Sequence, residues 1–241
     1  MRPLSAQQML AVWERGLGRL PLERALALLE AACPEDDYDT LAAMSLSQRD
    51  TCLLRLREWA FGQQIAAFCI CRNCGQQLDL SFHVSHLYHE ENGPAQIPLS
   101  IGGYELLLRP LNSLDLMACR NTDEPKIARA MFARCLISAS SGKTGIPADQ
   151  VPDDIAGNAM EQVSGADPQA DLEIVVSCDA CHSTVRENFD IVSFFWSEID
   201  SWARRILRDV HLLASAYGWK ESDVLSLSPL RRQFYLEMVG A

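Results

Sequence analysis

Two Cys-x-x-Cys motifs, Cys71–Cys74 and Cys178–Cys181, constrain the fold of this chain more than any other feature of its sequence. A Cys-x-x-Cys turn places two thiols on one side of a tight loop, and two such turns supply the four sulfurs of a tetrahedral zinc site. Each motif is followed by a short polar turn and then by a strand-like run. The pattern predicts one closed, structural zinc ion, with Cys71, Cys74, Cys178 and Cys181 as ligands.

The two motifs lie far apart in the sequence, so the zinc ribbon that they predict must be split. The free-energy cost of closing the intervening loop grows only logarithmically with its length, so a large insertion is tolerable. The sequences after the two motifs also resemble each other, in Phe82-His83-Val84 and Phe189-Asp190-Ile191. We therefore expect two equivalent halves, at residues 69–84 and 172–191, with residues 85–171 inserted between them.

Other interpretations of the cysteines remain open at this point. The motifs could be redox pairs, although neither begins a helix after a strand, as thioredoxin-like chemistry requires. They could also be free structural thiols. Cys69, His83 or His182 could replace one of the four ligands; we interpret Cys69 as a buried strand residue and His182 as solvent-exposed. Burial on apolar helix faces is predicted for the remaining cysteines, which are Cys33, Cys52, Cys119 and Cys135.

The remaining patterns predict an α+β fold that is mainly helical. Gly102-Gly103 between two strand-like runs predicts a β-hairpin over residues 97–110. Apolar steps of three and four predict one amphipathic helix of about 25 residues that ends near Gly218. We therefore divide the chain into four segments. N-terminal helices occupy residues 1–68, and the split ribbon occupies residues 69–84 and 172–191. An insertion with a hairpin and helices occupies residues 85–171, and C-terminal helices occupy residues 192–241.

Finer expectations concern the ends of the helices. Ser5 is expected to cap a first helix, Pro21 to begin a second, and Ser47 with Asp50 to form a capping box for a third that ends near Gly62. Residues 34–39 are expected to be an acidic loop. Helices are further predicted over residues 112–140, with Asn112 as a cap and a break near Asn121, and over residues 153–164. Short helices are predicted after Ser222 and from Ser228-Pro229 to about Val239.

The charge of the chain argues against two classes of partner. The formal net charge is −11 and the sequence pI is about 4.9, so nucleic acids and anionic membranes are both disfavoured. The N-terminus has no apolar leader segment, and no stretch approaches ~20 uninterrupted apolar residues. We therefore expect a cytoplasmic protein, in which cysteines bind metal or are buried rather than paired in disulfides. No catalytic set of side chains stands out, and we expect no enzymatic activity.

The C-terminal sequence carries a resemblance to a known family. Residues 209–239 contain Tyr-x-Trp, then acid-Val-Leu-x-Leu, then Arg-Arg-x-x-Tyr-Leu; residues 46–62 and 170–214 share in the likeness. These residues resemble the baseplate hub assembly proteins of T4-like contractile phages, in the branch found in bacterial contractile injection systems. The pattern is formed by Tyr217, Trp219, Asp223-Val224-Leu225, Leu227, Arg231-Arg232 and Tyr235-Leu236.

The resemblance implies an accessory protein of tail or baseplate assembly. Such a chaperone or adaptor binds baseplate hub, spike or tape-measure proteins in the bacterial cytoplasm, and either leaves or joins the assembled particle. Aromatic and arginine side chains often anchor interfaces. The candidate contact residues are Trp219, Tyr217, Arg231, Arg232 and Tyr235. The alternative is a zinc ribbon that binds nucleic acid as a transcription accessory protein, for which only Arg72 and Arg186 supply positive charge near the motifs.

Overall fold

The computed structural model describes residues 1–89 and 93–240, which form two compact units. The first, called here the helical unit, combines Met1–Asp36 with the chain from Ile191 onwards. The second, the mixed unit, comprises Asp37–Asp190 and contains all the strands. Helices and small sheets are therefore both present, and the expectation of a mixed helix-and-strand fold is confirmed. The four sequence segments, with boundaries at residues 68/69, 84/85, 171/172 and 191/192, stay predictions.

Helices make up most of the regular structure. The α-helices of the described residues are, in chain order, α1 (Ala6–Gly16), α2 (Pro21–Ala32), α3 (Tyr38–Ala43), α4 (Leu46–Phe61), α5 (Ser113–Cys119), α6 (Glu124–Cys135), α7 (Asp153–Gly165), α8 (Ile191–Tyr217), α9 (Glu221–Ser226) and α10 (Pro229–Met238). Short 3₁₀ turns occur at Val84–Leu87, Ala148–Gln150 and Pro168–Ala170.

Within residues 1–89 and 93–240, the strands form three small antiparallel sheets. They are β1 (Gln64–Ile70), β2 (Gln77–His83), β3 (Ile97–Ile101), β4 (Tyr104–Leu108), β5 (Leu136–Ser141), β6 (Thr144–Gly145), β7 (Glu173–Ser177) and β8 (Thr184–Asn188). Strand β1 pairs with β2 and β7 pairs with β8, while the third sheet has the order β3-β4-β5-β6. Two separate hairpins therefore carry the two Cys-x-x-Cys motifs at their turns.

In the helical unit, α1 and α2 pack against α8. The Ser5 hydroxyl caps α1 by accepting a hydrogen bond from the Gln8 N–H (3.2 Å), as predicted. Helix α8 spans 27 residues and ends at Tyr217, immediately before Gly218, which confirms the long amphipathic helix. The Trp13 indole N–H donates to the Asp200 carboxylate on α8 (2.9 Å), so the polar tip of this buried ring is satisfied.

Gly16 on α1 lies directly against the Trp196 ring on α8. A Cβ at this position would lie 2.8 Å from Cζ3 of Trp196, and closer still to Cη2 of the same ring. Trp196 is buried, with the Arg24 guanidinium 4.6 Å from its ring centroid, so it has little room to move. Gly16→Ala is therefore expected to lower the free energy of unfolding by about 1–3 kcal/mol, measured by urea denaturation.

Gly157 in α7 provides the matched control for this overpacking. No heavy atom lies within 4 Å of a Cβ built there, and alanine favours a helix interior over glycine by about 1 kcal/mol. Gly157→Ala is expected to leave stability unchanged or raise it slightly. Equal destabilisation by the two substitutions would contradict the steric explanation.

The four-stranded sheet of the mixed unit, β3 to β6, packs against α6 and α7. Leu106, Leu108, Phe132 and Val163 lie at the centre of this core. The β3–β4 hairpin turns at Gly102-Gly103, where both residues have positive φ angles (57° and 84°). Two consecutive positive φ angles are typical of a type I′ turn, so the predicted hairpin and its turn are confirmed.

The helix predicted over residues 112–140 is wrong in its last part. Asn112 caps α5 and the chain breaks near Asn121 as expected, but Leu136–Ser141 forms strand β5. Strand β4 has an open edge, and β5 pairs with it from Leu108 to Tyr104. Tertiary pairing of backbone groups therefore overrides the weak helical pattern of these residues.

Smaller differences concern helix starts. The hydroxyl of Ser45, rather than that of Ser47, caps α4, and it does so in a capping box with Gln48. Lys220, rather than Ser222, precedes α9. Helix α3 begins at Tyr38, inside the expected acidic loop, because Asp37 accepts a hydrogen bond from the Thr40 N–H (2.8 Å). The predicted end of α4 at Gly62 and the predicted start of α10 at Ser228-Pro229 are confirmed.

Candidate metal centre and interaction surface

The two hairpins of the mixed unit bring four sulfurs together. The Sγ atoms of Cys71, Cys74, Cys178 and Cys181 all lie within 4.8 Å of one another. The Cys71–Cys181 distance is 3.7 Å and the Cys74–Cys178 distance is 3.6 Å. A tetrahedral zinc ion with Zn–S bonds of about 2.3 Å has sulfur–sulfur edges of about 3.8 Å. The dimensions of the cluster therefore fit a four-thiolate zinc site.

The two turns that carry the cysteines share one backbone geometry. The Cys71 N–H donates to the Gln76 carbonyl (2.8 Å), and the Cys178 N–H donates to the Ser183 carbonyl (2.9 Å). In both turns the N–H four residues further on donates back to the first cysteine's carbonyl (2.8 Å). These N–H groups belong to Gly75 and His182, which both have positive φ angles (77° and 57°). The two halves are therefore equivalent, as the sequence predicts.

Polar groups around the sulfurs favour the thiolate form at two positions. The Ser183 hydroxyl lies 3.2 Å from the sulfur of Cys71 and 3.0 Å from that of Cys181. Hydrogen bonds from Asn73 and Ser183 lower the pKa of Cys181 to about 5, and the bond from Ser183 lowers the pKa of Cys71. Because a metal binds the thiolate, such groups prepare the site for a cation.

Apolar side chains pack against the four-cysteine cluster. Leu78 and Val185 are buried with Cys71 and Cys178, and Cys69, Leu80 and Val176 pack against them. The rings of Phe82 and Phe189, the two residues whose sequence contexts match, meet edge to face at 6.2 Å. Strand β1 precedes the first motif, and its inward face carries Ile65, Ala67 and Cys69. The sequence analysis predicted a strand only at Cys69 and missed the rest of β1.

The structure separates the four cysteines from the alternative ligands. Cys69 lies on β1, half-buried, and does not belong to the group of four close sulfurs. The ring nitrogens of His83 lie 2.7 Å from the Ser85 hydroxyl and 2.9 Å from the Gln63 amide oxygen. His182 is exposed, as expected. Of the cysteines predicted to be buried, Cys33, Cys119 and Cys135 are buried and Cys52 is half-buried.

The two arginines near the motifs are both paired with glutamates. The Arg72 guanidinium lies 3.3 Å from the Glu187 carboxylate, and that of Arg186 lies 2.6 Å from the Glu173 carboxylate. Their positive charge is therefore largely compensated at the surface. The nucleic-acid alternative, which needs a basic face on the ribbon, gains no support from this arrangement.

Most of the candidate contact residues at the C-terminal end bind one another. The ring of Trp219 stacks on Tyr217 (4.7 Å between centroids) and meets Tyr235 edge-on (4.9 Å). The Arg232 guanidinium pairs with Asp209 on α8 (3.2 Å), and both side chains are mostly shielded from solvent. These four residues therefore fasten α10 to the end of α8. Tyr217 and Arg231 are the exposed members of the five.

An exposed apolar stripe on α10 was missed by the sequence analysis. Leu230, Phe234 and Met238 keep 67, 53 and 72% of their surface exposed. Their spacing of four residues places them on one face of the helix. The signal was present in the sequence, but a step of four equally describes a helix face that packs inside a protein.

These features define the class: a protein of helices and small β-hairpins in which two distant Cys-x-x-Cys turns form one four-thiol centre. The chain belongs to the family described as T4 bacteriophage base plate protein, which it matches over residues 22–196. The matched range includes all four cysteines and stops short of the 209–239 stretch that suggested the resemblance. No curated protein and no solved structure matches the chain significantly.

One further property concerns the helices. Among residues 1–89 and 93–240, none of the helices is both long and apolar enough to cross a membrane.

Proposed function

We propose that this protein is a non-enzymatic assembly factor, either a chaperone or adaptor or a baseplate hub component, of a contractile phage tail-like injection system. The observation that supports the proposal most strongly is its membership of the base plate family. Membership of that family implies protein partners within a tail complex. Baseplate hub, spike and tape-measure proteins are the partners proposed, with binding in the cytoplasm of the bacterial host before or during incorporation into the particle.

The four cysteines take a structural role in this proposal. Cys71, Cys74, Cys178 and Cys181 hold one zinc ion, which closes the two hairpins of the mixed unit into a split zinc ribbon. The sulfur–sulfur distances of 3.6 and 3.7 Å and the paired backbone turns support this assignment. Because four thiolates leave no open coordination position, the metal stabilises the fold and takes no part in a reaction.

The partner contact is assigned to the exposed face of α10. Leu230, Phe234 and Met238 supply apolar surface, and exposed Arg231 lies beside them on the helix. An amphipathic helix of this kind binds a groove or helix of a partner through residues at i, i+4 and i+8. Helix α10 is held against the end of α8 by four other candidate residues, which are Trp219, Tyr217, Arg232 and Tyr235.

Affinity capture from the native tail system tests the proposal. Tagged wild-type protein is expected to recover baseplate hub, spike or tape-measure components, identified by mass spectrometry. Phe234→Asp is expected to reduce this recovery at least tenfold, since loss of an interface anchor costs about 2 kcal/mol or more.

Gln233→Glu is the matched control, because it adds one negative charge to the same helix outside the stripe. It is expected to leave the recovery unchanged. Capture that yields no baseplate component at all contradicts the proposed function, whereas equal capture by Phe234→Asp contradicts only the assignment of the surface.

A further inference from the structure

A groove of about 730 Å³ lies between the two cysteine-bearing hairpins of the mixed unit. Within the described chain, β2, the end of β7 and the second Cys-x-x-Cys turn form its walls, and β1 and β8 take no part. Since β2 pairs with β1 and β7 pairs with β8, the groove lies along the opposite, unpaired edges of β2 and β7. Its lining includes Gln77, Leu78, Asp79, Leu80, Val176 and Asp179.

The edge of β2 that faces away from β1 carries unpaired backbone groups. In an antiparallel pair, alternate residues exchange hydrogen bonds with the partner strand. The bond from the Cys71 N–H to the Gln76 carbonyl (2.8 Å) sets this alternation, so the N–H groups of Gln77 and Asp79 point away from β1. No second strand pairs with β2 among the described residues. A free edge of this kind is a template for an added strand.

The side chains of β2 alternate between two faces of the strand. Leu78 is buried and Leu80 is half-buried, and both belong with Val176 to the apolar cluster beside the cysteines. Gln77 and Asp79 are exposed on the other face. A strand added to β2 therefore places every second side chain on the apolar face, and the side chains between them on the face of Asp79.

The groove is acidic where the equivalent part of the other half is basic. Counted from the first cysteine of each motif, Asp79 corresponds to Arg186 and Asp179 corresponds to Arg72. Both arginines are paired with glutamates, whereas neither aspartate has an ion pair within residues 1–89 and 93–240. The Asp79 carboxylate accepts a hydrogen bond from the neutral Gln77 amide (2.9 Å). The uncompensated charge of the groove is complementary to a basic segment.

We propose that this groove receives an extended, basic segment of a protein partner, which adds to the free edge of β2 as an antiparallel third strand. Apolar side chains of the segment pack against Leu78, Leu80 and Val176. Arginine or lysine side chains between them face Asp79 and Asp179. The net charge of −11 makes a second copy of this chain a poor occupant. The inference rests on the proposed function in assigning the segment to a tail protein.

Amide hydrogen exchange of the full-length protein as purified, followed by NMR, tests the added strand directly. The probe is the acetylated and amidated pentapeptide Val-Arg-Val-Arg-Val. At saturation it is expected to slow exchange of the Gln77 and Asp79 N–H groups about tenfold or more, because they become hydrogen-bonded. The N–H groups of Leu78 and Leu80, which already bond to β1, are expected to change much less.

Two control peptides separate charge from backbone pairing. Val-Glu-Val-Glu-Val keeps the apolar positions and is expected to bind at least about tenfold more weakly, because it places like charges beside the aspartates. In the antiparallel arrangement, an arginine opposite Asp79 exchanges backbone hydrogen bonds with it. The arginine peptide with both arginine nitrogens methylated loses these donors, and it is also expected to bind about tenfold more weakly.

Substitutions in the protein test the two carboxylates. Asp79→Asn and Asp179→Asn are each expected to weaken binding of the arginine peptide about twofold to fivefold, the effect of one exposed charge pair. Both side chains are exposed, so the fold is expected to be retained. Asp149→Asn removes an exposed charge outside the groove and is expected to leave binding unchanged.

Three results overturn the proposal. They are no protection of Gln77 and Asp79 by the arginine peptide, equal binding of the glutamate peptide, or the same protection arising without peptide as protein concentration increases, which would assign the groove to a second copy. Failed peptide binding with normal recovery of baseplate components removes the groove assignment alone. Peptide binding without such recovery removes the proposed function and leaves a strand edge for basic segments.

Discussion

Purified protein is expected to contain about one zinc ion per chain, and Cys178→Ser is expected to lose it together with the folded ribbon. Cys178 is the fully buried member of the four-cysteine cluster, and a serine hydroxyl cannot replace its thiolate as a ligand. Structural zinc supplies roughly 10–16 kcal/mol of binding free energy in zinc-finger peptides, and that free energy is folding free energy. Metal analysis and thermal unfolding with and without a chelator measure the effect.

Cys69→Ser is the matched control for this loss. Cys69 lies two residues before a ligand and packs against the same apolar cluster, but its sulfur is outside the group of four. The variant is expected to retain one zinc ion and to lose only a little stability. A metal-free wild-type protein that unfolds at the same temperature as the untreated protein is incompatible with a structural zinc ion.

The second large effect is expected at Asp115, a fully buried carboxylate in the mixed unit. It accepts hydrogen bonds from the guanidinium groups of Arg109 (2.6 and 2.9 Å) and Arg134 (2.9 Å), and from the Asn112 N–H (3.1 Å). Asp115→Ala leaves both arginines without their partner and removes a capping contact of α5. A decrease of about 3–5 kcal/mol in the free energy of unfolding is expected, measured by urea denaturation.

Asp153→Ala serves as the control for charge removal. Asp153 also pairs with an arginine, Arg129 (3.5 Å), but its side chain is 90% exposed. Exposed ion pairs contribute about 0–1 kcal/mol, so this variant is expected to be nearly as stable as the wild type. Similar losses from the two substitutions would show that burial does not set the strength of the Asp115 contacts.

The pH dependence provides an independent check on Asp115. Burial alone raises the pKa of its carboxyl, but the hydrogen bonds from Arg109, Asn112 and Arg134 outweigh burial, so the net pKa is below the ordinary value of 3.8. Because the pKa is lower in the folded state, the stabilisation is complete above the unfolded pKa and is lost as the pH falls through the folded pKa. The stability difference between wild type and Asp115→Ala is therefore expected to narrow below about pH 4.

The sequence predicted the parts of the fold that depend on local chemistry. Spacing and capping residues were sufficient for the Gly102-Gly103 hairpin, for the long helix α8 and for the convergence of the four cysteines. The hairpin and the helix are specified by their own residues, because a turn needs its own φ angles and a helix needs its own apolar face. The convergence of the distant cysteines was predicted instead from the four ligands that a zinc ion needs. The identity of the metal stays a prediction.

Features that depend on residues far away in the sequence were not predicted. Strand β5 forms because β4 offers it an edge, and nothing within Leu136–Ser141 reveals that edge. The hydrogen bond from the Ser47 N–H to the Asp167 carboxylate (3.4 Å) joins α4 to a turn 120 residues further along the chain. Whether Leu230, Phe234 and Met238 are exposed depends on whether another element packs over them, and their spacing in the sequence cannot show this.

The separation of the two Cys-x-x-Cys turns has a consequence for the order of events during synthesis. Cys71 and Cys74 emerge from the ribosome long before Cys178 and Cys181, so a growing chain holds only half of a binding site for most of its translation. The complete set of four ligands exists only after Cys181 has been synthesised. At the proposed zinc site, complete coordination therefore becomes possible only when nearly all of the mixed unit has been synthesised, shortly before α8 begins.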